Sequence, residues 1–414
     1  MDILRIATAG SVDDGKSTLI GRILYDTKSI SQDKLEAIET SSRRKGLDFV
    51  DLSLLTDGLI AEREQGITID VAHIYFSTPN RKYIIADTPG HVEYTRNMVT
   101  GASNTETSIV LIDARNGVIE QTKRHLFIAS MLRFETVFIC VNKMDLVEYN
   151  QSVFSRIQHD VQSLADKIGL HAALYFIPVA AKDGDNIVTR SNNMTWYQGQ
   201  TLMDYLEALP VHEHDHELPA RLPVQLVVRP HAEPYHDYRG YAGKLISGLL
   251  TKGQEVTVLP TLQRSKIKAI LHAGTDVDVA MPGQSITIQL ETDIDVSRGN
   301  MIVPPGVAFQ QLSHCHALLT WMDEQPLTSG RTFLLQHGVN RVKAKVTELR
   351  SQLDIQSMEE LPGAVEFRLN DIGRVALKLA KPIFADTYHD NAGNGVFILI
   401  DEFSNNTVAV GFIE

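Results

Sequence analysis

The run Gly10-Ser11-Val12-Asp13-Asp14-Gly15-Lys16-Ser17 carries the most specific chemistry in this chain. It follows the apolar segment Ile3–Ala9 and leads into the helix-period Thr18-Leu19-Ile20. Glycines in this arrangement let the backbone curl so that its N–H groups face phosphate oxygens, and the helix start adds partial positive charge. Lys16 has the length and charge to neutralise β- and γ-phosphates, and Ser17 offers a hydroxyl to Mg²⁺. A chance match in a turn is the competing reading; placement between a strand and a helix argues against it.

This loop does not separate ATP from GTP. That choice falls to Asn142-Lys143-Met144-Asp145, directly after the apolar run Thr136–Val141. A carboxylate at Asp145 can accept both the ring N–H and the exocyclic amine of guanine, a donor pair that adenine lacks. Asn142 can bridge the base edge to the phosphate loop, and the Lys143 stem can lie along the ring face. A helix cap also uses Asn with Asp three residues on, but does not explain this position two strand–helix units after the other motifs. Between the two motifs lies Asp87-Thr88-Pro89-Gly90, at another strand end. Asp87 would reach Mg²⁺ through a water, the Gly90 N–H would meet the γ-phosphate, and His91 is placed to orient the attacking water. A turn histidine without a catalytic part is the alternative for His91. Upstream, Gly66-Ile67-Thr68-Ile69-Asp70 supplies Thr68 as a second hydroxyl ligand of Mg²⁺. The polar stretch Asp26–Gly66 reads as a mobile first switch, Glu62–Glu64 as a solvated helix face, and Arg43-Arg44-Lys45 as a solvated loop.

The elements that must position these residues alternate from residue 1 to about 210. Strands are expected at Ile3–Ala9, Ile69–Phe76, Tyr83–Asp87, Ser108–Asp113, Thr136–Asn142 and Leu174–Val179. Helices are expected at Lys16–Tyr25, Tyr94–Thr100, Glu120–Leu132, Gln151–Ile168 and Thr201–Leu209. Such alternation predicts an α/β domain, a doubly wound and mostly parallel sheet, over 1–212. The style changes at Val211–Arg221, where His212, His214 and His216 alternate with acids; an exposed acidic linker explains them more simply than a metal site. Beyond it, short alternating strands separated by Gly and Pro predict two β-barrels, over 221–310 and 312–414.

A net charge of −12 repels phosphate backbones, so no nucleic-acid partner is expected. Apolar runs are strand-sized, so no membrane span is expected, and the first residues lack the character of a signal peptide. Cys140 and Cys315 each sit in an apolar segment, which predicts two buried free thiols and a cytoplasmic location.

With those residues in hand, the sequence resembles the translation-factor class of P-loop GTPases. The Asp87-Thr88-Pro89-Gly90-His91 run and Gly66-Ile67-Thr68-Ile69 are shared with elongation factor Tu and its relatives, as is the plan of one GTPase domain and two β-barrels. Within that class it is most similar to the large, GTPase subunits of bacterial sulfate adenylyltransferase, over essentially the whole chain. Ser11 and Asp14 stand where elongation factors usually carry His or Ser, in a loop continuing to Thr18. The stretch from Asp57 to Ala72, Arg239-Gly240-Tyr241-Ala242-Gly243 and Leu369-Asn370-Asp371-Ile372-Gly373-Arg374-Val375 also match that subfamily. The resemblance implies GTP and Mg²⁺ as ligands and Ala180-Ala181-Lys182 as the loop facing the guanine oxygen, although the family tends to carry Ser-Ala there. Thr195 replaces a Pro usual in relatives, and no second phosphate loop occurs, so a fused adenylyl-sulfate kinase is not expected. The implied partner is a small catalytic subunit that joins ATP and sulfate to adenylyl sulfate and pyrophosphate. An aminoacyl-tRNA carrier is the other reading; it would need a basic stripe across the β-barrels.

Overall fold

The computed structural model describes residues 2–44, 50–55, 71–89, 98–99, 105–210, 216–229 and 238–414. It divides into two compact units, Met1–Val211 with Asp354–Glu359, and His212–Leu353 with Glu360–Glu414.

Among the described residues the first unit is built on six strands: β1 Ile3–Ala9, β2 Ala72–Ser77, β3 Lys82–Asp87, β4 Thr107–Asp113, β5 Thr136–Asn142 and β6 Ala173–Pro178. Their order across the sheet is β2-β3-β1-β4-β5-β6, with β2 antiparallel and the other neighbours parallel. Every residue of β4 and β5 is buried, as central parallel strands covered on both faces require, whereas the edge strand β2 alternates. The helices are α1 Lys16–Asp26, α2 Gln32–Arg44, α3 Glu120–Met131, α4 Gln151–Ile168 and α5 Leu202–Ala208. Local chemistry sets several ends. Asn150 accepts the Ser152 amide at the start of α4, and Gly169 closes it in the left-handed region. Thr201 and Asp204 form a capping box at the start of α5, so Thr201 caps the helix it had been expected to begin.

The stretch from Asp26, read as a mobile polar switch, contains α2 and a 3₁₀ turn at Leu52–Leu55, and Arg43 stands in the last turn of α2 rather than in a loop. Ile38 and Ser42, one turn apart, are buried there, and the Ser42 hydroxyl accepts the Asp51 amide at 2.9 Å. This narrow anchor leaves the rest of the helix polar, which hid its period. Strand expectations at 69–70 and most of the helix at 94–100 fall outside the described residues; residues 98 and 99 are helical.

The second unit is antiparallel β. Strands Gln310–Trp321, Thr332–His337, Asn340–Asp354, Ile372–Ala385, Val396–Ile400 and Thr407–Ile413 pair in a closed six-membered ring around Trp321, Phe333, Phe367 and Phe397. Among the described residues, eight of the preceding strands between Leu222–Pro223 and Met301–Val303 form one sheet over Tyr241, Ile267, Ile270 and Ile288, and Leu250–Thr251 and Val279–Ala280 pair separately. Among the described residues the terminal strands of this sheet do not hydrogen-bond to each other. Arg221, expected at the end of an exposed linker, is instead buried and makes two hydrogen bonds to Asp386, at 3.0 and 2.9 Å. Asn391 donates to Ser247 at 2.8 Å beside it. Buried Leu259, Met301 and Val303 pack with Phe384, adding an apolar contact between the two sheets.

Candidate functional site

Because β1, β3, β4, β5 and β6 are parallel, the loops leaving their C-terminal ends emerge at one edge of the sheet. That edge carries Gly10 after β1, Asp87 at the end of β3, Asp113 at the end of β4, Asn142 at the end of β5, and Ala180 just beyond β6.

The Gly10–Lys16 loop turns through left-handed residues Asp13 (φ 68°) and Gly15 (φ 93°). A side chain on Gly15 would collide with the Asn142 amide, so the close approach of the two motifs itself requires glycine. Gly15 also begins α1 without a side-chain cap, and no acid stands in the first turn. The N–H groups of that first turn are thus available to an anion. Lys16 is buried and donates to the Gly10 and Ser11 carbonyls at 2.6 and 3.2 Å. Burial pulls its pKa down, opposed by the carboxylates of Asp87, Asp14 and Asp13. Asp14 turns inward and accepts the Ser11 amide at 2.6 Å; burial raises its pKa against that bond and the Lys16 charge. Val12 and Asp13 lie exposed on the rim, while Ser17 and Thr18 are half-buried at the helix start.

Asp87 is 1% exposed and its Oδ1 accepts the Thr8 hydroxyl at 3.2 Å; the Thr88 hydroxyl donates to the Thr8 carbonyl at 2.5 Å. Strand β3 is thereby fastened to β1 next to the phosphate loop, with Pro89 following. Gly90, His91 and Thr68 lie outside the described residues.

Asn142 is the joint of the site. Its Nδ2 donates to the Asp14 carbonyl at 2.7 Å and its Oδ1 accepts the Ala181 amide at 3.0 Å. The amide nitrogen thus ties the end of β5 to the phosphate loop. The oxygen end, however, takes up the Ala181 N–H, a backbone donor that had been open for the guanine oxygen. Nδ2 retains a second hydrogen for a base edge. Lys143 has left-handed backbone (φ 62°), and its Nζ lies 3.0 Å from Asp113 Oδ2. Met144 is fully buried, and its amide donates to the Val179 carbonyl at 3.2 Å. Asp145 is half-buried, and among the described residues no side chain donates to it. Burial raises its pKa, helped by Asp183 and opposed by Lys182.

Three contributors were missed from sequence. Arg22, on α1, donates to the carbonyls of Ala181 (3.3 Å) and Lys182, tying the Ala180–Lys182 loop to the helix that starts at the phosphate loop. Asp113 lies opposite Asn142 in the β4–β5 register, and Arg115 binds it through its backbone amide and guanidinium. Burial alone would raise the Asp113 pKa; the Arg115 and Lys143 hydrogen bonds outweigh it and hold the value at about 2. An acid closing the apolar run 109–112 of β4 was the available signal. His125 on α3 is buried with an unpartnered Nδ1 among the described residues. Burial, reinforced by the Lys16 and Arg124 charges, drops its pKa to about 3.

Among the described residues no group of three or more His, Cys, Asp and Glu could hold a metal. The Ser17 hydroxyl and Asp87 carboxylate are hard oxygen donors, the type Mg²⁺ uses when phosphates and waters complete its shell. The arrangement therefore fits a magnesium–nucleotide ligand better than a metal held by protein alone.

Comparison with known proteins points the same way. The family described as elongation factor Tu GTP binding domain matches residues 1–212, and the GTP-eEF1A C-terminal domain-like family matches 314–414. Sulfate adenylyltransferase subunit 1 of Photorhabdus laumondii subsp. laumondii is 46% identical over 413 residues, covering 99% of this chain and 85% of that one. The chain belongs to the sulfate adenylyltransferase subunit 1 family, within the elongation factor Tu-type GTP-binding proteins. Subunit 1 of Bacteroides fragilis is 45% identical, with 100% of this chain and 86% of the relative covered. The bifunctional enzyme CysN/CysC of Rhodopirellula baltica is 47% identical over 99% of this chain, but only 63% of the relative is spanned. As in that family, the first unit is a GTP-binding domain.

Proposed function

We propose that this chain is the GTP-hydrolysing subunit of a sulfate adenylyltransferase, organised as 1–212, 221–310 and 312–414. The observation that carries the nucleotide reading is Asn142, one buried side chain bonded to both the phosphate loop and the Ala180–Lys182 loop. Gly10 to Thr18 cradle the triphosphate, with the α1 N-terminus and Lys16 facing its charge. To meet the β- and γ-phosphates, Lys16 exchanges the two loop carbonyls it now holds for phosphate oxygens. Asp145 takes the two donors of guanine, the Lys143 stem covers the ring, and Ala180-Ala181-Lys182 close its oxygen side. Ser17, Thr68 and, through a water, Asp87 would hold Mg²⁺, which would supply positive charge to neutralise the phosphates. His91 orients the attacking water, and loss of the γ-phosphate frees Gly90 and the segment after it.

The sulfate-activating role rests on near full-length similarity to subunit 1 proteins. A separate small subunit would join ATP and sulfate, and GTP hydrolysis would pull that reaction toward its high-energy phosphate–sulfate anhydride. Buried, free Cys140 and Cys315 suit a cytoplasmic setting, and no described helix is long and apolar enough to cross a membrane. The test is GTP turnover of the purified chain with and without the small subunit, ATP and sulfate. Stimulation by that mixture is expected, with no response to aminoacyl-tRNA; the reverse pattern would overturn the assignment.

A further inference from the structure

Lys143 combines a left-handed backbone with an ion pair from its amine to a partner outside its own motif. Its φ of 62° lies in the left-handed region, which a lysine enters only where surroundings fix it. The partner is Asp113, whose side chain is 1% exposed and whose Oδ2 is 3.0 Å from Lys143 Nζ. Asp113 is immobilised in turn. Arg115 donates to it from the backbone amide (2.9 Å), from Nε (3.0 Å) and from Nη2 (2.6 Å). The strand beneath is fixed as well, because Asp113 is in register with Asn142 and the Ala114 amide donates to the Asn142 carbonyl at 2.9 Å. A flexible four-carbon stem is therefore anchored at both ends, at its backbone by β5 and at its amine by β4.

We propose that Asp113 is a positioning residue for guanine binding, acting through Lys143, with Arg115 as its brace. This rests on the reading that the Lys143 stem covers the base. Tethering the amine stretches the stem into a fixed apolar strip before any base arrives, so less side-chain entropy is lost on binding. It also neutralises the ammonium where it would otherwise need water. The tether touches neither phosphate nor base edge. Its contribution is accordingly the same for GTP and GDP, and it leaves the choice of base to Asp145.

The test is the affinity of the full chain for GDP and for a non-hydrolysable GTP analogue, by calorimetry. Asp113→Asn and Lys143→Met should each weaken both nucleotides by about tenfold at an unchanged GTP-to-GDP ratio, and the double variant should be no weaker than Lys143→Met alone. Arg115→Gln, at a half-exposed position with little risk to folding, should weaken both about threefold in the parent and not at all beside Lys143→Met. Full affinity in Asp113→Asn and Arg115→Gln, with Lys143→Met still impaired, would overturn the positioning role and leave the base contact standing. Additive losses in the double variant would make Asp113 merely structural. Full affinity in Lys143→Met would bring down the base-covering reading, and the proposal with it.

Discussion

Replacing Asn142 with alanine isolates the physics of the site, because one side chain serves two loops that are remote in sequence. The side chain is 2% exposed and contributes two buried hydrogen bonds, to the Asp14 carbonyl and from the Ala181 amide. Truncation leaves an acceptor in the phosphate loop and a donor beyond β6 without partners. Each orphaned buried group costs about 1–3 kcal/mol. Water entering the vacated volume relieves part of that, which places the total near the low end, about 2–3 kcal/mol. That is a large share of the roughly 5–15 kcal/mol that holds a domain together, and it corresponds to about a hundredfold change in a local opening equilibrium. The assay is urea unfolding together with amide hydrogen exchange of the nucleotide-free protein. Asn142→Ala should lower the midpoint and raise exchange at 10–15 and at 180–182 together. Asn142→Asp is the sharper control. It keeps an acceptor for the Ala181 amide but sets a carboxylate oxygen against the Asp14 carbonyl, so it should disturb 10–15 more than 180–182. An unchanged midpoint with Asn142→Ala, or faster exchange in one loop alone, would refute the idea that this amide couples them.

Asp145→Asn replaces the acceptor for the two guanine donors and should move preference from guanine toward xanthine nucleotides, read in competition binding; unchanged GDP affinity would remove Asp145 from base recognition. His91→Ala should lower the GTP hydrolysis rate and spare GTP-analogue binding, measured by single turnover and calorimetry. His125 has a native pKa of about 3 against 6.5 when unfolded, so the unfolded chain binds a proton first and stability falls as pH drops below about 6.5. Unfolding titrations should show one-proton steepness, about 1.4 kcal/mol per pH unit between pH 6 and 4, that is absent in His125→Phe. Arg221→Ala removes the cation from Asp386, leaving the half-buried carboxylate with the Asn394 amide, and should destabilise the second unit by about 2 kcal/mol in chemical denaturation.

Legibility of the site from sequence followed the range of the interactions. The phosphate loop, Asp87 and the Asn142–Asp145 motif were readable because each is a short run whose backbone and side chains act together, beside an apolar strand that marks its place. Arg22, Asp113 and His125 were not, since each acts on residues brought near only by the sheet: Arg22 reaches the Ala181 and Lys182 carbonyls, and Asp113 meets Lys143 across two strands. Helix α2 was missed for a different reason. Little of it is buried, so the apolar period that reveals a helix is nearly absent from Gln32–Arg44. Arg221 shows the converse error: acidic neighbours suggested solvent, while the salt bridge to Asp386 sets its burial.

The sheet order brings motifs so far apart in sequence to one edge, where the proposed function has them share one ligand. Strand β1 lies between β3 and β4, so the phosphate loop is flanked on one side by Asp87 and on the other by Asp113. Strand β5 comes next, which sets Asn142 one strand beyond Asp113 and within reach of the phosphate loop; β6 then brings Ala180 and Ala181 to the outer side of Asn142. Parallel strands point all these ends the same way, and ligands of open α/β sheets gather at that edge. The groups proposed to face phosphate and base therefore occupy successive positions along one line. Asn142 stands where the two sets meet, which makes the loss of one amide a disturbance to both.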